Sequence, residues 1–145
     1  MALSDFLNID EQHSIVYAIA EAERHTSGEV CVHITPRCWG NPYKKALKKF
    51  YQLGLFNTER RNAVLIFVAY KSHKFAIIGD EGINEKVPDG FWDDALQQLG
   101  EKLKAGEQCQ GLCQAIKLIG EHLSSYFPAD KEDNNELSNE IIYED

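Results

Sequence analysis

Ala63-Val64-Leu65-Ile66-Phe67-Val68-Ala69-Tyr70, followed after Lys71-Ser72-His73 by Lys74-Phe75-Ala76-Ile77-Ile78, is apolar almost without interruption and rich in β-branched and aromatic side chains. The first run lacks the polar alternation of a half-exposed strand. Residues 63–70 are therefore expected to be buried on both faces, at the centre of a sheet covered by helices. Lys71-Ser72-His73 is too short for a crossover, so residues 74–78 should return antiparallel as a hairpin partner.

Upstream, Val30, Val32 and Ile34 alternate with Cys31 and His33, which predicts a half-exposed strand over residues 29–35 with His33 on its open side. A helix should precede it, capped by Asp10, with Ile15, Ile19 and Ala22 on one face and Ser27-Gly28 at its end. Asn41-Pro42 reads as a cap followed by proline at the first helical position, and Tyr43, Ala46, Leu47, Phe50 and Leu53 recur at helical spacing until Gly54. Two more helices are expected over residues 91–104 and 107–126. Cys109, Leu112, Cys113, Ile116, Ile119 and Leu123 stripe the second, and Pro128 closes it. The order αβαββαα describes a three-layer α/β/α sandwich around a small mixed sheet.

A chain of 145 residues with 43% hydrophobic content suits one domain, placed at residues 1–128, followed by an acidic tail over 129–145. Residues 130–145 hold seven acidic side chains against one lysine, so the tail carries most of the formal charge of -8. That balance argues against nucleic acid as a partner. The tail is expected to be mobile and able to recruit another protein, although Leu137, Ile141, Ile142 and Tyr143 give it apolar residues with which to dock. No basic leader or run of about 20 apolar residues is present, so a cytoplasmic location without direct membrane insertion is expected. Cys31, Cys38, Cys109 and Cys113 lack CxxC pairing and are read as free thiols.

The stretch from Gly79 to Asp89 gathers Asp80, Glu81, Glu85 and Asp89 around Gly82 directly after an apolar strand. Like charges so close repel one another, and a hard divalent cation would relieve them; the alternative is a solvated turn that feeds the next helix. Candidate ligands are Asp80, Glu81 and Asp89, with Asp93, Asp94 or Glu85 as further donors. Asp89 equally suits a helix cap near Gly90, and Asp93 and Asp94 suit a helix N-terminus. The spacing is not that of an EF-hand. If residues 63–70 run parallel to 29–35, Asp80 and Glu81 emerge beside the starts of both strands. Arg60, Arg61, Asn62 and Ser27 then become their neighbours, either pairing with the carboxylates or facing a phosphate held on a metal. Solvated charge is the plainer reading of Arg60 and Arg61.

Other site chemistries are weaker. Cys31 and Arg37 have the Cys-x5-Arg spacing of cysteine phosphatases, but an extended chain would hold them on the order of 20 Å apart. Arg24-His25-Thr26 lacks the glycine of a histidine phosphatase. Cys31, His33 and Cys38, like Cys109 and Cys113, do not match the usual zinc spacings. No nucleophile elbow, phosphate loop or dinucleotide fingerprint is present.

Thr26-Ser27-Gly28-Glu29-Val30, Arg61-Asn62-Ala63-Val64-Leu65, Ile77-Ile78-Gly79-Asp80-Glu81-Gly82-Ile83 with Val87-Pro88-Asp89, and Ala105-Gly106-Glu107 with Gly111-Leu112 together resemble the successive motifs of the TPM domain family. That family includes thylakoid photosystem II repair proteins and bacterial members, and this chain looks like a bacterial one without the signal peptide and anchor many carry. The resemblance implies an α/β/α fold, calcium binding with Mg2+ as the alternative ion, and an acid phosphatase activity ascribed to some plant members. Asp80 makes the local motif more acidic than the family's common Gly-x-Gly-Leu-Glu form. Three functions compete: a calcium-binding domain, a metal-assisted phosphatase, and an interaction or quality-control adaptor in which metal is incidental.

Overall fold

In the computed structural model, which describes residues 3–129 and 139–145, β2 (Ala63–Ala69) is buried along its whole length, between β1 (Glu29–Thr35) and β3 (Lys74–Gly79). β1 runs parallel to β2, with Glu29 opposite Ala63, and β3 runs antiparallel to β2, with Val64 opposite Gly79. A two-residue strand, β4 (Ile142–Tyr143), adds parallel to the outer edge of β1 and completes the order β3-β2-β1-β4.

The two faces of the sheet bury alternate residues of the same strands. Val30, Val32, Val64, Ile66 and Val68 pack under α1 (Ile9–Glu23), α4 (Asp93–Lys104) and α5 (Gln108–Tyr126). Cys31, Leu65, Phe67 and Ile78 pack under α2 (Pro42–Gln52) through Ala46 and Phe50. Each fully buried Leu, Ile or Phe contributes roughly 1.5–3 kcal/mol relative to an exposed one, so double coverage is what makes the uninterrupted apolar run of β2 stable. The expected order αβαββαα is observed, with a short 3-10 turn (Leu3–Asp5), a single-turn helix, α3 (Glu81–Asn84), and β4 as additions.

Local chemistry moves several boundaries. Asn8, not Asp10, caps α1: its Oδ1 accepts the Glu11 N–H at 2.8 Å while Glu11 Oε1 accepts the Asn8 N–H at 2.9 Å, a reciprocal pair that two residues of different spacing could not make. Asn41 caps α2 as expected, accepting the Lys44 N–H at 3.0 Å. α4 starts at Asp93 behind Trp92 rather than at Phe91: Gly90 turns at φ 77 and its carbonyl accepts the Asp93 N–H at 3.0 Å, closing a turn ahead of the helix, and the Trp92 ring lies over Gly79, where an added Cβ would stand 3.0 Å from it. Phe91 packs edge-on against both Trp92 and Tyr126, so the pair anchors half-buried at the margin of the core.

β1 is not half-exposed. Every residue is buried, His33 completely, because α2 and the chain's own C-terminus cover the side where Cys31 and His33 point. All four cysteines are free thiols. The expectation of a mobile tail falls largely on residues 130–138, and with it Leu137; these lie outside the described residues. Beyond them Ile142 and Tyr143 pair with His33 and Ile34 of β1, and the Glu144 N–H donates to the Ile34 carbonyl at 3.1 Å. Among the described residues no helix is long and apolar enough to cross a membrane.

Candidate functional site at the start of the central strands

The antiparallel return of β3 brings Gly79 and Asp80 back to where β1 and β2 begin, and the Asp80 N–H donates to the Ala63 carbonyl at 3.0 Å. Asp80 is 3% exposed and caps α3, its Oδ1 accepting the Glu81 N–H at 2.8 Å. A carboxylate so little hydrated needs a charged partner. Arg61 supplies it: Nε donates to Asp80 Oδ2 at 2.8 Å and Nη2 to Oδ1 at 2.9 Å, while Nη1 reaches Glu81 Oε1 at 3.2 Å. The hydrogen bonds to Asp80 raise the Arg61 pKa further, and its guanidinium also lies over the Phe56 ring, 5.9 Å from the centroid.

Two backbone features hold this fork in place. Arg61 adopts φ 51, the left-handed region that L-residues avoid. That conformation turns its carbonyl to accept the Gly82 N–H at 2.9 Å just before Asn62 leads into β2. Gly82 permits the approach, since a Cβ there would lie 2.3 Å from the Arg60 carbonyl oxygen. The turn before β2 and the first turn of α3 are thus clamped by backbone and side chain together.

Asn62 and Ser27 join the same end of the sheet but face each other: Asn62 Nδ2 donates to Ser27 Oγ at 3.2 Å, both residues being buried. Ser27 and Arg60 also border a surface groove of about 810 Å³ with Gly82, Glu85, Lys86 and Phe127. The remaining acidic candidates spread outward. Asp89 is exposed and caps no helix, contrary to one expectation, because α4 begins four residues later. Asp93 is exposed, its carboxylate folded back over Gly90. Asp94 pairs with His122, Oδ2 to Nε2 at 2.8 Å, and that bond holds its carboxyl below the usual range.

The donor set is all oxygen, which is the class a calcium or magnesium ion prefers. In kind it fits such an ion; in arrangement Arg61 holds the central place, and among the described residues no three His, Cys, Asp or Glu side chains converge as a ready ligand shell. The cysteine phosphatase spacing is disposed of by geometry. Cys31 is buried in mid-strand, and desolvation first, then Glu23 and Glu29, pushes its thiol up to about 12, far from a thiolate.

Sequence reasoning missed a second polar cluster, at the opposite end of β1. His33 is fully buried, yet its Nε2 lies 2.7 Å from Glu144 Oε1, and Lys49 Nζ donates to Glu144 Oε2 at 3.2 Å. Burial lowers the His33 pKa, so the neutral ring donates from Nε2 and leaves Nδ1 a bare acceptor without a partner. The bonds from His33 and Lys49 lower the Glu144 pKa. The available signal was His33 standing in a strand pattern while Ile141-Ile142-Tyr143-Glu144 placed an acid beside β-forming residues.

A doubly covered mixed sheet whose strand starts are tied together by an arginine–aspartate fork defines an α/β/α domain with its acidic loop at one end. Residues 2–122 match the model of the TPM domain, and the chain belongs to that family. It is similar to the BA42 protein of the psychrophilic bacterium Bizionia argentinensis, solved by NMR, with 38% identity over 99% of each chain and a TM-score of 0.91. The N-terminal domain of the cg2496 protein of Corynebacterium glutamicum shares the fold at 14% identity, covering 88% of this chain and 81% of that one, with a TM-score of 0.67. No curated protein matches the chain.

Proposed function

We propose that this chain is a divalent-cation-binding TPM domain in which calcium competes with Arg61 for Asp80 and Glu81. The observation that carries the reading is the guanidinium spanning those two carboxylates, one of them nearly buried: this point in the fold demands positive charge. Asp80 and Glu81 would hold the ion once released from Arg61, with exposed Asp89, Asp93 and Asp94 as outer donors and magnesium as the alternative. A bound ion would supply charge neutralisation between the turn before β2 and α3. Family membership and the oxygen-only donor set support the same assignment.

Calorimetry with CaCl2 and MgCl2 tests it. Wild type should give a saturable heat with calcium, Arg61→Gln a tighter one because the competitor is gone, and Asp80→Asn none. Absence of heat from both wild type and a folded Arg61→Gln chain at millimolar calcium would refute the assignment. A phosphate-bearing ligand is a second reading, favoured by the groove where Ser27, Arg60 and Lys86 meet. As a metal-assisted phosphatase, the protein should hydrolyse a generic phosphomonoester only with the ion, and lose that turnover in Asp80→Asn.

A further inference from the structure

The chain is acidic overall, yet residues 36–52 carry Arg37, Lys44, Lys45, Lys48 and Lys49 and not one acid. Large aromatics accompany them in the open: Trp39 is 85% exposed, Tyr43 53% and Tyr51 54%. Among the described residues Arg37, Lys44, Lys45 and Lys48 form no ion pair, which leaves this face a concentrated positive field on a negative molecule. Aromatic rings beside cationic side chains make a surface suited to recognition rather than to solubility alone.

One acidic segment already sits at its margin. Thr35, Arg37, Trp39, Lys45 and Lys49 border a cavity of about 420 Å³ whose wall Glu144 and Asp145 complete. Backbone pairing places them there: β4 matches only His33 and Ile34 of a seven-residue β1, and the Glu144 N–H donates to Ile34. Glu144 then divides its carboxylate between His33 and Lys49. An extended backbone on a strand edge, an apolar-aromatic pair and two following acids constitute a bound peptide in all but connectivity.

We propose that the edge of β1 and the basic aromatic face of α2 form a docking site for an extended acidic peptide of a protein partner, occupied within the free chain by its own residues 141–145. The partner segment would add to β1 as a strand, place an acid on His33 and Lys49, and run further acids along Lys45, Lys44 and Lys48, which the short β4 does not reach. Residues 141–145 act as a competitor that the partner must displace, so they set a threshold for binding without a second site. This goes beyond the cation reading and uses none of its residues.

The probe is a fluorescein-labelled peptide of residues 139–145, Asn-Glu-Ile-Ile-Tyr-Glu-Asp, titrated by anisotropy against the full-length chain. If the internal segment is docked in about nine molecules of ten, Glu144→Ala should bind the peptide about tenfold more tightly than wild type, since apparent affinity scales with the competent fraction. The triple change Lys44→Glu, Lys45→Glu, Lys48→Glu, all on the surface of α2, should lower affinity for a longer peptide with three further C-terminal glutamates at least tenfold without lowering the melting temperature. In wild type alone, saturating peptide should shift Trp39 emission, and Trp39→Phe should abolish the shift. Equal peptide affinity in wild type and Glu144→Ala would overturn the proposal. So would equal binding of a scrambled peptide or a single-stranded oligonucleotide of the same charge, which would mark a non-specific polyanion surface. A dimer by light scattering whose dissociation matches peptide binding would assign the edge to a second copy's tail instead.

Discussion

Gly82→Ala tests how the site is held together. The new methyl would lie 2.3 Å from the Arg60 carbonyl oxygen and 2.5 Å from that of Arg61, where real Cβ atoms stay beyond 3.0 Å. Neither oxygen can rotate away, because both belong to the backbone of the turn that leads into β2. Relief requires the turn to retreat by roughly 0.7 Å, which is overpacking of a kind that costs about 1–3 kcal/mol. The same retreat stretches the 2.9 Å bond from the Gly82 N–H to Arg61 and adds about 0.5–1.5 kcal/mol. A total near 2–4 kcal/mol should lower the melting temperature by roughly 6–16 °C in a domain of this size. Urea denaturation should show the midpoint falling by about 1–2 M at unchanged slope. Gly40→Ala is the control: at φ 86 with nothing within 4 Å of the added methyl, it bears only the left-handed penalty, about 1 kcal/mol. If Gly82→Ala melts within about 2 °C of wild type, or no lower than Gly40→Ala, the clamp between turn and α3 is not what the distances imply.

Docking of β4 should weaken in acid. The His33 pKa is lowered, by burial first, so below its ordinary value of 6.5 the unfolded chain takes up a proton that the folded one refuses. Glu144 is lowered mainly by the His33 hydrogen bond, so its contribution is present above 4.5 and lost as pH falls through its docked value. Both act in one direction: the protection factor of the Glu144 amide, with the intrinsic pH dependence of exchange divided out, should fall progressively below about pH 6.5, and His33→Gln should flatten the upper part of that profile. Thiol reactivity gives an independent check on packing. Iodoacetamide at mildly alkaline pH should modify Cys109 before the others and spare Cys31 and Cys38, which are buried, with mass mapping of peptides as the readout. Removing His122 should cost no more than about 0.5 kcal/mol, because its pair with Asp94 is solvent-facing; a larger loss in denaturation would show that the pair orients α4.

The strands and helices were legible because their signals are local. Apolar runs, an Asn-Pro cap and a short hairpin link suffice to place β1, α2, β2 and β3 and to make β3 the antiparallel partner of β2, whereas the parallel run of β1 and β2 enters only as a condition. The nearness of Arg61 to Asp80 follows from that antiparallel return, which must end where β2 begins, although solvated charge is the plainer reading of Arg61 by itself. What the sequence did not disclose depends on partners far along the chain. His33 looked exposed because alternation reports only one covering layer, while α2 and residues near 144 supply the other. Asp94 with His122 spans two helices, and Lys49 with Glu144 spans most of the chain; neither has a periodic signature. The Asn8 cap was hidden by Asp10, a residue of the right type two positions too late, and only the reciprocal bond with Glu11 decides between them.

His33 and Glu144 stand 111 positions apart in the chain, so the outer margin of β1 stays bare until residues 142–143 have been made and have emerged from the ribosome. β1, α2, β2 and β3 can associate before then, since domains assemble from the N-terminal side as they emerge. His33 therefore acquires its carboxylate late, and a nascent chain presents an unoccupied strand edge that the folded protein conceals.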